Sequence, residues 1–83
     1  MQKNHQTMAI HKLKIQIMIS LFYSPCSFIE LMEREFIKRV SPLCVNYLLE
    51  QLQSEGLVVN KPNGWHAIKR KAKEFFTENN IEI

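Results

Sequence analysis

The sequence predicts a mainly α domain with one small β-hairpin, in the order helix, helix, helix, hairpin, helix. Three observations carry this prediction. Two helix-start signals, Ser27-x-x-Glu30 and Ser41-Pro42, each open an apolar stripe at helical spacing. Gly56 closes the second stripe and leads into a strand–turn–strand pattern around Lys61-Pro62-Asn63-Gly64. A basic run from Lys69 then carries Ala72, Phe75 and Phe76 on one helical face, with Ile68 just before it.

The first element is the least determined. Residues 1–7 are polar and read as a flexible tail, and the single domain spans 8–80. Between Met8 and Tyr23, Leu13, Ile15, Ile17, Ile19 and Leu21 alternate with Lys14, Gln16, Met18 and Ser20, which is strand periodicity. Ile10, Leu13, Ile17 and Leu21 also form one helical stripe, and Met8, Ile15, Ile19 and Phe22 form a second. Helix is the assignment that suits the rest of the chain. It carries a consequence: one small core does not cover two apolar stripes, so the second asks for another helix or another subunit.

Pro25 stops that element, because the residue before a proline avoids helical geometry. Ser27 and Glu30 form a capping box, and Phe28, Leu31, Met32, Phe36 and Ile37 extend the second helix towards Lys38–Val40. Ser41 is the N-cap of the third helix, with Pro42 where its missing donor costs nothing. Val45, Leu48, Leu49 and Leu52 are its buried stripe, Gly56 its left-handed end. Leu57 to Asn60 and Trp65 to Ile68 are the strands, and the last helix covers about Lys69 to Glu78.

Composition narrows the function. A chain of 83 residues buries only about 60–65% of its unfolded surface, so a partner subunit would add to a thin core. Its net charge of +3 is modest, but Lys69, Arg70, Lys71 and Lys73 cluster, with Lys61 upstream. Such a cluster suits a polyanion or is simply a solvated helix face. Cys26 and Cys44 stand far apart, and the histidines are dispersed, so no metal-ligand spacing exists and no cofactor is expected. Both cysteines read as small apolar fillers without an activating neighbour. No Gly-rich phosphate loop, HExxH or nucleophile elbow is present, which argues against an enzyme and leaves no small-molecule ligand evident. The start "MQKNHQTMAIHKLK" lacks a signal-peptide pattern, and Ile15 to Tyr23 is too short to cross a bilayer. The expectation is a cytoplasmic protein with no membrane contact.

The segment "YLLEQLQSEGLVV" followed by "NGWHAIKRKAKEFF" resembles the winged helix-turn-helix domain of bacterial and archaeal transcriptional regulators. The resemblance covers residues 12–78, with its specific part at 45–68. It implies a three-helix core, a hairpin used as a wing, and a C-terminal helix. It also implies that the third helix enters the major groove of double-stranded DNA, about 12 Å wide, while the wing touches the backbone. Lys69 stands where similar proteins commonly have threonine, Ala72 where glycine is frequent, and the Leu31–Val45 spacing is long. No named subfamily is therefore assigned.

On that reading the groove-facing residues are Ser41, Pro42, Leu43, Asn46, Tyr47 and Glu50, with Gln53 beyond them. Asn46 suits adenine, Tyr47 a phosphate or a thymine methyl, and Glu50 is unfavourable unless it accepts from cytosine. The helix holds no Arg or Lys, so phosphate-neutralising cations come from elsewhere. Arg34, Lys38 and Arg39 precede it, Lys61 and Asn63 sit at the wing, and Lys69, Arg70 and Lys73 share a side of the last helix. Arg70 also has Glu74 four residues on as a surface partner. Trp65 anchors the wing, and His66 lies on the other strand face. The second stripe of Met8, Ile15, Ile19 and Phe22, with Phe75 and Phe76, is the expected homodimer interface. The expected function is sequence-specific DNA binding as a small homodimeric regulator. Exposed Leu43 and acidic Glu50 favour the alternative, a winged-helix protein-interaction module in a larger assembly.

Overall fold

The computed structural model describes the backbone of residues 2–82 and the side chains of residues 10–82. Its elements are α1 (Gln2–Tyr23), α2 (Phe28–Met32), α3 (Pro42–Ser54), β1 (Val58–Lys61), β2 (Gly64–Ala67) and α4 (Lys69–Glu78). Among the described residues the chain is thus mainly helical, with four helices and one two-stranded antiparallel hairpin.

α1 is a helix through the stretch whose alternation also suited a strand, and its backbone takes in most of the segment assigned to a tail. The reason is its buried set: Ile17, Met18, Leu21 and Phe22, at a helical period that no strand could place on one face. This corrects the two-stripe reading. The core face lies between the two stripes, includes Met18, takes Phe22 from the second stripe and leaves Ile10 exposed. Leu13 and Ile19 pack at its margins. Lys14 falls within this face and escapes burial by extending to Glu55, 3.5 Å away at the end of α3.

α2 opens on the expected capping box. The Ser27 amide donates to the Glu30 carboxylate at 2.9 Å and the Glu30 amide to the Ser27 hydroxyl at 3.1 Å. The first of these bonds holds the Glu30 carboxyl below its ordinary range. Regular helix ends at Met32, short of the expected Lys38–Val40. From there the amides of Glu33, Arg34, Ile37 and Val40 bond to carbonyls three residues back. Tighter winding eclipses side chains three apart. Leu31 and Ile37 are thereby buried, while Arg34 between them reaches α1.

α3 buries Val45, Leu48, Leu49 and Leu52, each contributing about 1.5–3 kcal/mol by removal from water. It ends in a Schellman turn: Leu57 N–H donates to the Leu52 carbonyl at 2.9 Å and Gly56 N–H to Gln53 at 3.0 Å, with Gly56 at φ +78°. The strands begin one residue from the expected positions, pairing Val58 with Ala67 through Lys61 with Gly64. Pro62 and Asn63 form the connection, and both keep negative φ. A type I turn, with proline at its second position and glycine at its fourth, accommodates that.

One connection was not foreseen. Cys26, between α1 and α2, pairs with Trp65 as an isolated antiparallel bridge. Trp65 N–H donates to the Cys26 carbonyl at 2.7 Å and Cys26 N–H to Trp65 at 3.2 Å. Trp65 is buried and anchors the hairpin to the core. Burial raises the Cys26 thiol above its ordinary pKa, and both cysteines are free. α4 packs on α1 through Phe76, whose ring meets Phe22 edge-on at 5.5 Å. It ends in a second Schellman turn with Asn80 at φ +59°, which returns Ile81 to the core.

The bridge explains Gly64. A Cβ there would stand 2.6 Å from the Cys26 carbonyl carbon and oxygen and 2.8 Å from the Ser27 nitrogen, all backbone atoms. A Cβ at Gly56 would meet nothing within 4 Å. Gly56→Ala therefore costs about 1–2 kcal/mol for its left-handed backbone alone. Gly64→Ala costs more, about 2–4 kcal/mol, because backbone must also move. Urea denaturation of the two variants measures the order; equal losses would mean that the Cys26 contact is unimportant.

Candidate nucleic-acid interface

α3 divides cleanly into two sides. Its inner side is the buried aliphatic stripe, and its outer side, Pro42, Leu43, Asn46, Tyr47, Glu50 and Gln53, is exposed to solvent. Ser41 positions the start: its hydroxyl accepts from the Leu43 amide at 3.2 Å, and Pro42 needs no acceptor. Leu43 is 82% exposed and Tyr47, one turn further, 58%. Two internal bonds order this surface. The Asn46 side-chain amide donates to the Glu50 carboxylate at 3.4 Å, and the Gln51 amide to the Tyr47 hydroxyl at 3.0 Å.

The cations fall into two groups. Arg34 is not free to meet a ligand: its guanidinium donates to the Ser20 hydroxyl and to the Ser24 carbonyl and hydroxyl, at 3.1 and 3.3 Å for the latter two. Lys69 is likewise engaged, donating to the Phe22 carbonyl with its ammonium 4.2 Å from the centre of the Phe22 ring. α1 has no basic residue in its own last turn. Arg34 and Lys69 supply that charge from other elements, satisfying carbonyls at the negative end of the helix. This corrects the assignment of Lys69 to a ligand-facing set. Its nearest role is structural.

Among the described residues there are two ion pairs, Lys14–Glu55 and Lys38–Glu35, the latter at 3.0 Å. The expected Arg70–Glu74 pair is not one of them. Lys61, Arg39, Arg70 and Lys73 are exposed and outside both pairs. With Ala72 and Phe76 turned inward, Arg70 and Glu74 share the outer side of α4, and Lys73 lies beside them in a shallow depression with Glu74, Thr77 and Glu78. Lys71 lies round the helix, in a shallow depression with Glu55, Glu74 and Glu78. The basic run is therefore narrower than its sequence suggests. At the hairpin turn the Asn63 side-chain oxygen is 3.0 Å from the His66 ring, a link across the turn that strand alternation gave no reason to expect.

The residues assigned to a subunit interface separate. Phe22 and Phe76 are 8% and 2% exposed, inside the chain's own core, because α4 closes over the end of α1. They are unavailable to a second subunit. Ile15, Ile19 and Phe75 are half-buried, and the Met8 side chain lies outside the described residues. Ile19 borders an apolar groove with Gln16, Ser20, Arg34 and Phe36.

No family model, curated protein or solved structure matches the chain. Among the described residues no cluster of three His, Cys, Asp or Glu side chains could hold a metal ion, and no helix is long and apolar enough to cross a membrane.

The division of the cations is testable without a ligand. Lys69→Ala should lower stability by about 1 kcal/mol, through the lost helix-end and ring contacts, whereas Arg70→Ala should change it by less than about 0.5 kcal/mol. Thermal denaturation of both variants gives the comparison. Equal effects would return Lys69 to the free group.

Proposed function

We propose that the chain is a winged helix-turn-helix domain that binds double-stranded DNA, as a small cytoplasmic transcriptional regulator. The observation that carries this reading is the outer side of α3, which is solvent-exposed along its length and carries Asn46, Tyr47, Glu50 and Gln53 beside Leu43 on a helix of groove-compatible width. The element order supports it. Three helices, a hairpin that follows α3 directly and a terminal helix are the elements that the sequence resemblance implies, and the Cys26–Trp65 bridge ties that hairpin to the core.

In this reading α3 lies in the major groove, the hairpin is the wing, and Lys61 at its tip meets phosphate. Arg39, Arg70 and Lys73 add backbone contacts, whereas Lys38 must first leave Glu35. Affinity comes mostly from these cations and falls with salt, each neutralised phosphate contributing about 0.9 to the logarithmic slope. A titration of random duplex DNA at several salt concentrations tests it. The protein should bind with a steep salt dependence, and Lys61→Ala with Arg70→Ala should reduce the slope by about 2. Absence of binding at low salt would favour the second reading, a protein-interaction module, which the 82% exposure of Leu43 and the lack of any Lys or Arg on α3 support.

Two copies would double the phosphate contacts and select half-sites about one helical turn apart. With Phe22 and Phe76 inside the core, Ile15 and Ile19 on α1 and Phe75 on α4 remain, among the described residues, for that contact. Ile15→Glu should convert a particle of twice the 9.8 kDa chain mass into the single chain while keeping its helical circular dichroism. Sizing in solution reads the outcome, and a wild-type monomer at micromolar concentration would remove the two-fold from the proposal.

A further inference from the structure

We infer that the outer side of α3 reads A·T base pairs, through thymine methyl groups and adenine edges, and does not read guanine. This rests on the DNA-binding reading above and narrows its substrate to A·T-rich duplex.

The argument starts from what the surface lacks. Guanine presents two acceptors in the major groove, which Arg or Lys meets with paired donors. α3 contains neither residue. Of the cations just before it, Arg34 is held at the end of α1, Lys38 is paired with Glu35, and Arg39, exposed and outside both pairs, precedes the Ser41 cap and is assigned above to the phosphate backbone. What the surface does present is a strip of Leu43, Asn46, Tyr47 and Glu50, spaced so that all four lie along one line of the helix. Leu43 and Tyr47 carry its most exposed apolar atoms. The one apolar group in the major groove that differs between base pairs is the thymine methyl.

Asn46 completes the pattern, because adenine offers an acceptor and a donor side by side that a side-chain amide matches. Glu50 acts here as a positioning residue. It takes one amide hydrogen of Asn46 at 3.4 Å, leaving the second hydrogen and the amide oxygen for the base. That gives the acidic side chain a role in a place where direct contact with phosphate would be repulsive.

The experiment compares three duplexes of equal length at one salt concentration: mixed-order A·T, the same sequence with deoxyuridine for thymidine, and G·C. The A·T duplex should bind at least about tenfold more tightly than G·C. Deoxyuridine should weaken it about fourfold for each methyl covered, and Leu43→Ala should reduce that difference, with Tyr47 retaining its share, while leaving the salt slope unchanged. The uracil arm matters because the methyl lies in the major groove, so a lysine attracted to a narrow A·T minor groove would not respond to it. Equal affinities or a G·C preference, with steep salt dependence intact, overturn this inference and spare the DNA-binding reading. An A·T preference indifferent to uracil also overturns it. Failure to bind any of the three overturns both.

Discussion

The backbone pairing of Cys26 with Trp65 is the constraint on which the rest of the arrangement depends. It is a single bridge, two hydrogen bonds long, yet it ties the connection between α1 and α2 to the hairpin that follows α3. A two-stranded hairpin alone is marginal in water. Here β2 gains a second backbone partner, and Trp65 carries a large apolar surface into the core beside it. The bridge requires Gly64, since any side chain would enter the Cys26 and Ser27 backbone. One glycine therefore sets where the hairpin stands relative to α3. In the proposed function that relation decides whether hairpin and helix meet the same duplex.

A second constraint follows from the size of the chain. Among the described residues no polar or charged side chain is buried, and helix ends must be satisfied by whatever groups lie near them. α1 ends without cations of its own and draws Arg34 and Lys69 to its last carbonyls. Two residues that looked like surface charge are thereby part of the fold, and the positive surface left for a partner is smaller and more defined. Among the described residues Lys61, Arg70, Lys73 and Arg39 belong to that remainder, as does Lys12 on α1. The same economy applies to apolar residues: Phe22 and Phe76 close the core between α1 and α4 and are not offered to another subunit.

How far the sequence disclosed this depended on the range of each signal. Local chemistry was readable: the Ser27–Glu30 box, the Ser41-Pro42 start, the Gly56 stop and the buried stripe of α3 are all decided within a turn or two of helix. Interactions between distant segments were not. Met18 looked like the polar half of an alternation, and only the packing of α1 against β2 and α4 makes it core. α2 ends early, and Arg34 just beyond its end reaches back to Ser20 and Ser24, a contact that no pattern in residues 27–40 announces. Gly64 was read as a turn residue, which it is, but its close approach to Cys26 spans 38 positions (64 − 26). At the candidate site the division of α3 into inner and outer sides was legible from periodicity, whereas the sorting of cations into engaged and free was a tertiary fact throughout.

The acidic residue at Glu50 shows why that sorting matters for function. Counted as a charge, it opposes a polyanion and weakens the case for DNA. Seen with its neighbour, it is half of an amide–carboxylate pair that restrains a side chain otherwise free to rotate, and its negative charge is partly met by that donor. The energetic question is then local. A carboxylate near the floor of the major groove is farther from phosphates than one at the rim, and its repulsion falls with that distance and with salt. Restraint of Asn46 acts at contact distance and is insensitive to salt. An α3 built this way would supply little affinity and a sharp preference, with the cations of the hairpin and α4 supplying the affinity. In the proposed function, that separation of roles would account for an outer face of α3 with no positive charge beside elements that have several.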